Sequence, residues 1–483
     1  MSEMSARSHP QGSPEQGLRE LFKYPLMSAI TERRTRRVCQ GTSIRSGTIS
    51  YESPNPPAPL SELEEAVLIV STGLSGQVTM HDVPVQAPDG TKQFSSPLMK
   101  ILARTASSAD NAQAVSFFMI NDEGTWILRT PTSPEVMAAL RDLPPRWQDW
   151  TPEDWIHAAA AVKQRVYRER MDFPRQWPYY FIWNREISNR PGSTIIFPIV
   201  DLTRQTINVL LFLLAGGDGE RPLFVDDWQK FRPKNLLDWA AWFGSLVGLV
   251  PKIRYQIIGG AKRARGTFLN SADPVPLGVA STMRTDYETF FQLQNLMLIA
   301  QSMGLGGWIH ASVGAPYVFE RDLEKGTFGL GFRMQQPAQW RNWPPLPAPM
   351  PNPVGLDGII EGLCPPYVKS MNDAVDQVLE EKYGPKGAYG DESVFARAYR
   401  KSAYADEFLK NAGRPTPEAI QYAKDICNYI VDTYHRFPAH VNAFHVPGVW
   451  VQFSHLEVEY YEKFYAPDLY RRQAEHHDMW GEH

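Results

Sequence analysis

The segment from Thr285 to Ala311 does most to limit what this chain can fold into. Thr285-Asp286-Tyr287-Glu288 has the form of a capping box, in which the threonine hydroxyl and the glutamate carboxylate each accept from the other's backbone N–H. The helix this predicts carries Phe290, Phe291, Met297, Leu298 and Ile299 and stops at Gly304-Leu305-Gly306-Gly307, because glycine takes the left-handed conformation that ends a helix. Trp308-Ile309-His310-Ala311 then reads as a strand. A helix this apolar has to be covered by other elements, so the chain needs a large core. With 43% hydrophobic and 21% charged residues it has the side chains to build one, which excludes global disorder.

Elsewhere the punctuation is that of an α+β fold. Residues 1–17 are polar and rich in Pro, Ser and Gln and read as a disordered tail. Leu18 to Ile30 has amphipathic helical spacing. A Pro-rich turn, Pro54 to Pro59, precedes Ser61-Glu62-Leu63-Glu64, which predicts a helix with serine at the N-cap and an end near Gly73. Ala114 to Ile120, the turn Asn121-Asp122-Glu123-Gly124 and Thr125 to Arg129 predict a β-hairpin. Glu153 to Arg170 reads as helix, Ser193 to Leu214 as a buried strand followed by a helix, and Asn235 to Leu249 as another buried helix. Trp343 to Pro353 is a proline-rich strap. Helices are expected at Met371 to Lys382, Glu392 to Asn411 and Thr416 to Tyr434, the last with Thr416 as N-cap and Pro417 at the first helical position.

Charge and cysteine content narrow the function classes. Lys+Arg 49 against Asp+Glu 53 gives a net charge of −4 over 483 residues, with no basic excess for nucleic acid or an anionic membrane surface. The longest apolar run, Val209 to Ala215, is far short of the ~20 residues that cross a bilayer, and the polar head has no apolar stretch of the signal-peptide kind. Cys39, Cys364 and Cys427 cannot form a disulfide framework or a CxxC motif, which points to a reducing compartment. A soluble, cytoplasmic protein is therefore expected. Trp 14, Tyr 20 and Phe 23 suit a large core, or a pocket for a flat conjugated ligand.

Three constellations carry chemistry. Arg33-Arg34-Thr35-Arg36-Arg37 offers planar cationic forks and a short hydroxyl, the groups a phosphate needs; alone it also fits a solvated charged face. Ser107 to Gln113, placed before the hairpin, combines small residues with the amides of Asn111 and Gln113; alone it also fits a turn. The third is the helix–glycine–strand unit from Gln294 to Ala311, which also fits a glycine cap and a core strand.

In this order the three resemble the nitroreductase-like family of FMN enzymes. In that family an Arg-x-Ser/Thr-x-Arg/Lys motif binds the FMN phosphate and the pyrimidine edge of the ring, and Arg33, Thr35 and Arg37, with Arg34 inside the run, occupy those positions. A Ser-x-x-Asn-x-Gln segment lies along the flavin, matched by Ser108, Asn111 and Gln113. The Gly-Leu-Gly helix end leads to a backbone N–H that donates to flavin N5, here from His310 or Ala311. Gly355 to Pro366 resembles the family's last core strand. The resemblance covers roughly residues 18–130 and 280–370. It implies a nitroreductase-like FMN domain over 18–370, a helical insertion at about 135–275, and a mostly helical C-terminal extension over 371–483. The family's late basic phosphate ligand has no clear match, with Lys262, Arg263 and Arg265 as candidates.

The activity the resemblance implies is hydride transfer through flavin N5 to or from a small organic substrate, with NAD(P)H as donor and no catalytic side chain required. It also implies a homodimer with FMN between subunits; an insertion or extension supplying the second wall would permit a monomer. Two other classes stay open. One is a non-catalytic binding protein on the same fold. The other is a metal-dependent enzyme built on His435, His440, His445 and His455 with Glu457 and Glu459, although no pair has zinc-enzyme helical spacing and Pro438 and Pro447 interrupt the run. The histidines read foremost as structural, with no metal assigned. Gly326 to Gly331 is glycine-rich but opens no helix, a poor match to a phosphate loop.

Overall fold

The hairpin at Asn121 to Gly124 seeds the central sheet. Strands β1 (Val115–Asn121) and β2 (Gly124–Leu128) pair antiparallel, and the Asn121 carboxamide oxygen closes their turn by accepting from the backbone N–H of Glu123 and Gly124 at 3.1 Å each. A Cβ on Gly124 would lie 2.3 Å from the Tyr167 carbonyl of the next strand, so only glycine fits there. The computed structural model describes residues 12–73, 77–79, 89–90, 96, 98–130, 132–215, 277–335, 351–390, 394–411, 413–441 and 448–481. Its fold is mixed α+β with antiparallel sheets.

Five further strands complete the central sheet: β3 (Lys163–Tyr167), β4 (Thr194–Asp201), β5 (Gly306–Val313), β6 (His440–Val441) and β7 (Gly448–Ser454). The order is β3-β2-β1-β4-β7-β5, with β6 also paired to β4. Strand β4 has seven buried residues in its eight, as expected of an apolar run covered on both faces. Val115, Phe117, Met119, Val451 and Phe453 point to one face, where they pack with α3 (Glu62–Gly73), α4 (Pro134–Leu140), α5 (Pro152–Val162) and the long helix α7 (Leu277–Met303). Phe118, Ile120, Phe197 and Trp450 point to the other, against Phe173, Tyr180 and Phe332. A second apolar cluster joins α6 (Leu202–Ala215) to the helices Met371–Tyr383 and Pro417–Tyr434.

Several local signals act as expected. Ser61 caps α3 reciprocally: the Glu64 N–H donates to the Ser61 hydroxyl at 3.3 Å, and the Ser61 N–H donates to Glu64 Oε2 at 2.7 Å. Thr416 caps its helix by accepting from the Ala419 N–H. Helix α7 stops at Gly304, whose φ of +79° is the left-handed turn expected there.

Other expectations are corrected by tertiary context. The tail does not extend to residue 17: Ser13 caps a helix, α1 (Pro14–Lys23), with Pro14 at its first position. Pro25 then separates α1 from α2 (Leu26–Glu32), so Leu18 to Ile30 is not one helix. Thr285 starts no helix, since α7 runs through it from Leu277 and Glu288 turns instead to Ser108 and Arg104. Glu153 to Arg170 changes at Lys163 from helix to strand β3, where pairing with β2 decides the conformation. The stretch expected as a helical insertion at 135–275 supplies β3 and β4 of the central sheet. In the stretch Glu392 to Asn411 the described residues form a short 3₁₀ turn, Val394–Ala398, and a separate helix, Ser402–Asn411.

The largest correction lies at the C-terminal end. The helices of residues 371–483 are not set apart as an appended extension, because the same stretch supplies β7, which lies between β4 and β5. Gly355 to Pro366 does not take that place; Asn352–Leu356 and Ile360–Glu361 belong to a separate three-stranded sheet with Arg333–Gln335. The expected helix at Asn235 to Leu249, the basic candidates Lys262, Arg263 and Arg265, and residues 343–350 of the strap lie outside the described residues.

Candidate functional site

Helix α2 ends at Glu32, and the chain continues extended through the arginine run to reach the first residues of β5. The Arg36 N–H donates to the Gly307 carbonyl at 3.2 Å. On the other side Glu457 N–H donates to the Val38 carbonyl at 3.0 Å and Gln40 N–H to the His455 carbonyl at 3.3 Å. The Tyr461 hydroxyl accepts from Arg37 N–H at 2.9 Å and Val38 N–H at 3.3 Å. The run is thus held between the start of β5 and the residues after β7.

The arginines divide by burial. Arg36 is 4% exposed, and its fork donates to the Leu469 carbonyl at 2.7 Å and to Gln301 Oε1 at 2.9 Å. Burial lowers its pKa to about 10, which leaves it charged at neutral pH. Arg34, Thr35 and Arg37 are exposed and Arg33 half-buried. The Arg34 guanidinium returns to the carbonyls of Thr31 and Arg33 at 2.9 Å each. Among the described residues Arg33 and Arg37 have no ion-pair partner, and Arg37 lies 5.4 Å from the centre of the Trp308 ring.

Beyond Trp308 comes His310, stacked on that indole with ring centres 3.7 Å apart. The Trp450 indole N–H of β7 donates to His310 Nδ1 at 2.7 Å. An indole N–H can only donate, so the neutral ring carries its proton on Nε2. Burial first, and the Arg37 charge second, hold its pKa well below the usual histidine range. Ala311 is partly buried against the sheet core. The outer edge of β5 meets Arg36 at Gly307 and Tyr180 at Val313, and His310 and Ala311 lie between these two anchors.

Ser108, Asn111 and Gln113 lie in the turn before β1, away from the arginine run, where Ser108 meets Glu288 of α7. Ser108 Oγ donates to Glu288 Oε2 at 2.9 Å, and the Ala114 N–H donates to the same oxygen at 3.1 Å. Gln113 Nε2 donates to Asn111 Oδ1 at 2.8 Å, while Gln113 Oε1 accepts from the Arg104 N–H at 3.3 Å. Asn111 donates to Thr79 Oγ1 and to the Lys100 carbonyl. Both amides are buried and turned into the protein. Asp110, Asn111 and Gln113 all have positive φ, at 58°, 45° and 48°, a conformation non-glycine residues adopt at a cost. The side-chain network holds that backbone in place.

The expected C-terminal histidine cluster disperses. His435 ends the helix Pro417–Tyr434 in a left-handed conformation, buried His440 lies beside Asp201, and His445 is outside the described residues. Glu457 is engaged by Ser53 and Asn55. His455 alone joins a group of metal-ligating type, with Glu64 and His476: its Nε2 is 3.2 and 3.1 Å from the two Glu64 oxygens, and His476 Nε2 is 2.8 Å from Glu64 Oε1.

Sequence reasoning missed Arg36 as the anchor of the run, Glu288 as the partner of Ser108, and His476 as the neighbour of Glu64. Nothing local distinguishes these residues. Comparison with known proteins finds no matching family model, no matching curated protein and no matching solved structure. Among the described residues no helix is long and apolar enough to cross a membrane.

Proposed function

We propose that this chain is an FMN-dependent oxidoreductase of the nitroreductase type, acting on a small organic substrate with NAD(P)H as donor. The observation that carries the proposal is the docking of the arginine run on β5. Segments some 270 positions apart in the sequence, each matching one of the family's flavin motifs, meet through the Arg36–Gly307 hydrogen bond. Arg37 consequently lies beside Trp308 and His310.

The residues present suit the group. Arg33 and Arg37, without acidic partners among the described residues, are available to an anion, and the exposed Thr35 adds a hydroxyl donor between them. Arg36 turns inward and fixes the backbone that presents them. The stacked Trp308–His310 pair is buried behind Arg37 and backs it, and neutral His310 adds no competing charge. Ser108, Asn111 and Gln113 contribute by shaping a strained loop, with the Ser108 hydroxyl and the two amides directed inward. Bound FMN would supply two-electron hydride chemistry at N5; the chain would bind the phosphate and set a fixed cation at the edge of the ring.

FMN titration monitored by flavin fluorescence tests this. Wild-type protein should retain the cofactor through gel filtration. Arg37→Ala should weaken binding by about tenfold or more, the value of a charge-assisted hydrogen bond. Arg146→Ala, an exposed arginine elsewhere, should leave it unchanged. Equal binding by all three, or none by wild type, would sink the proposal.

A further inference from the structure

Glu64, His455 and His476 converge from three distant segments: the first turn of α3, the residue after β7, and the start of the helix His476–Trp480. Their side chains are 0%, 2% and 4% exposed, and the three candidate ligand atoms lie within 4.8 Å of one another. We propose that these residues form a structural zinc site. The proposal is independent of the flavin assignment.

Tautomer geometry is the first support. His476 Nδ1 lies 2.9 Å from the Met303 carbonyl oxygen, which only accepts, so Nδ1 carries a proton. The Trp480 indole N–H donates to the same carbonyl at 3.0 Å and holds the arrangement. In the neutral ring the lone pair is then on Nε2, 2.8 Å from a carboxylate oxygen. Two electron-rich atoms at that distance need a metal ion or a proton between them, and the proton would leave a buried imidazolium or a protonated carboxyl. A metal-bound histidine whose other nitrogen donates to a backbone carbonyl is the usual supporting arrangement of a zinc ligand.

Position and donor type are the second support. The Ser61 N–H donates to Glu64 Oε2 at 2.7 Å, so the cap orients the carboxylate without help from either histidine. Zinc bonds of about 2.0–2.2 Å place tetrahedral ligand atoms roughly 3.3 Å apart, close to the 3.2 Å and 2.8 Å that separate Glu64 Oε1 from Nε2 of His455 and of His476. Two imidazoles with one carboxylate favour zinc over magnesium or calcium, which take oxygen sets. Water completes the tetrahedron. The burial of all three ligands leaves no face for a substrate, so the ion is a clip. It joins the end of the chain to α3, and through the His455 carbonyl it steadies Gln40 at the far end of the arginine run.

Full-length protein without a polyhistidine tag, grown with zinc and analysed by ICP mass spectrometry, should carry one zinc ion per chain. Glu64→Gln keeps an oxygen for the Ser61 N–H, and it and His476→Gln should lose the zinc while circular dichroism still reports a folded chain. His477→Ala, an exposed neighbour of the cluster, should keep it. If the substituted chains fail to fold, chelator-stripped wild type titrated with cobalt(II) decides, because tetrahedral cobalt gives visible d–d bands at one equivalent. Wild type that takes up neither zinc nor cobalt overturns the proposal and leaves a proton-bridged His–Glu–His cluster. Folded Glu64→Gln that keeps its full zinc also overturns it.

Discussion

Replacing Lys382 by methionine removes an ammonium group that the helix Met371–Tyr383 carries into the apolar cluster against α6. Lys382 is fully buried; its Nζ donates to the Ser96 carbonyl and to Asn208 Oδ1, at 2.6 Å each. A neutral amine has two N–H donors, so these two bonds satisfy it without a charge. Burial is the main cause that lowers its pKa to about 7, with Asp110 acting weakly in the opposite direction. Below that pH both folded and unfolded chains hold the proton. From about pH 7 up to the unfolded lysine value near 10.4 the unfolded chain holds a proton that the folded chain has shed, so folding becomes more favourable as pH rises, by about 1.4 kcal/mol per pH unit. Across the whole window the gain is about 5 kcal/mol, whereas two lost hydrogen bonds cost the variant about 2 kcal/mol. The two stability curves should therefore cross: Lys382→Met is the more stable protein at pH 6 and the less stable near the top of the window. Urea unfolding of both proteins at matched pH, followed by tryptophan fluorescence, cancels the titrations they share. Parallel curves between pH 7.5 and 9.5 would refute the reasoning and leave Lys382 charged in the fold.

Neighbouring arginines should give opposite phenotypes. Arg36→Ala loses buried, charged hydrogen bonds to Leu469 and Gln301 and should cost about 3 kcal/mol or more. In the FMN-free proteins Arg37→Ala should leave the thermal midpoint unchanged, while weakening FMN binding; equal destabilisation by the two would contradict the division by burial. Gly304→Ala places a Cβ 2.7 Å from the Arg472 carbonyl at a φ of +79°, so a loss of at least about 1 kcal/mol, and more from the clash, should appear in denaturant melts. A neutral substitution there would mean the end of α7 can rearrange.

What could be read from the chain was what is decided within a few residues. Ser61 with Glu64, Thr416 with Pro417, the Asn121–Gly124 turn and the Gly304 stop all close their own hydrogen bonds locally, so residue type and spacing suffice. The same grammar misled at Thr285, where a capping box in sequence sits inside α7 because Glu288 finds Ser108 and Arg104 more than 170 positions away. Strands β3 and β7 were hidden for a related reason. Lys163 to Tyr167 follows an alanine-rich helix and becomes strand only by pairing with β2, and β7 takes its place through two partners, β4 and β5, far upstream. In the candidate site the arginine run was legible as a cationic segment. Which arginine turns inward was not, because that depends on Leu469 and Gln301 arriving from elsewhere. His455 stood out among the C-terminal histidines only once Glu64 and His476 lay beside it.

The visible absorption spectrum of the purified protein, before and after added FMN and gel filtration, decides whether this chain holds a flavin. Flavin bands should co-elute with the chain, bleach on addition of NAD(P)H and weaken in Arg37→Ala. A folded, colourless wild-type protein that releases added FMN would contradict the proposal, and the arginine run would then be a solvated edge of the sheet.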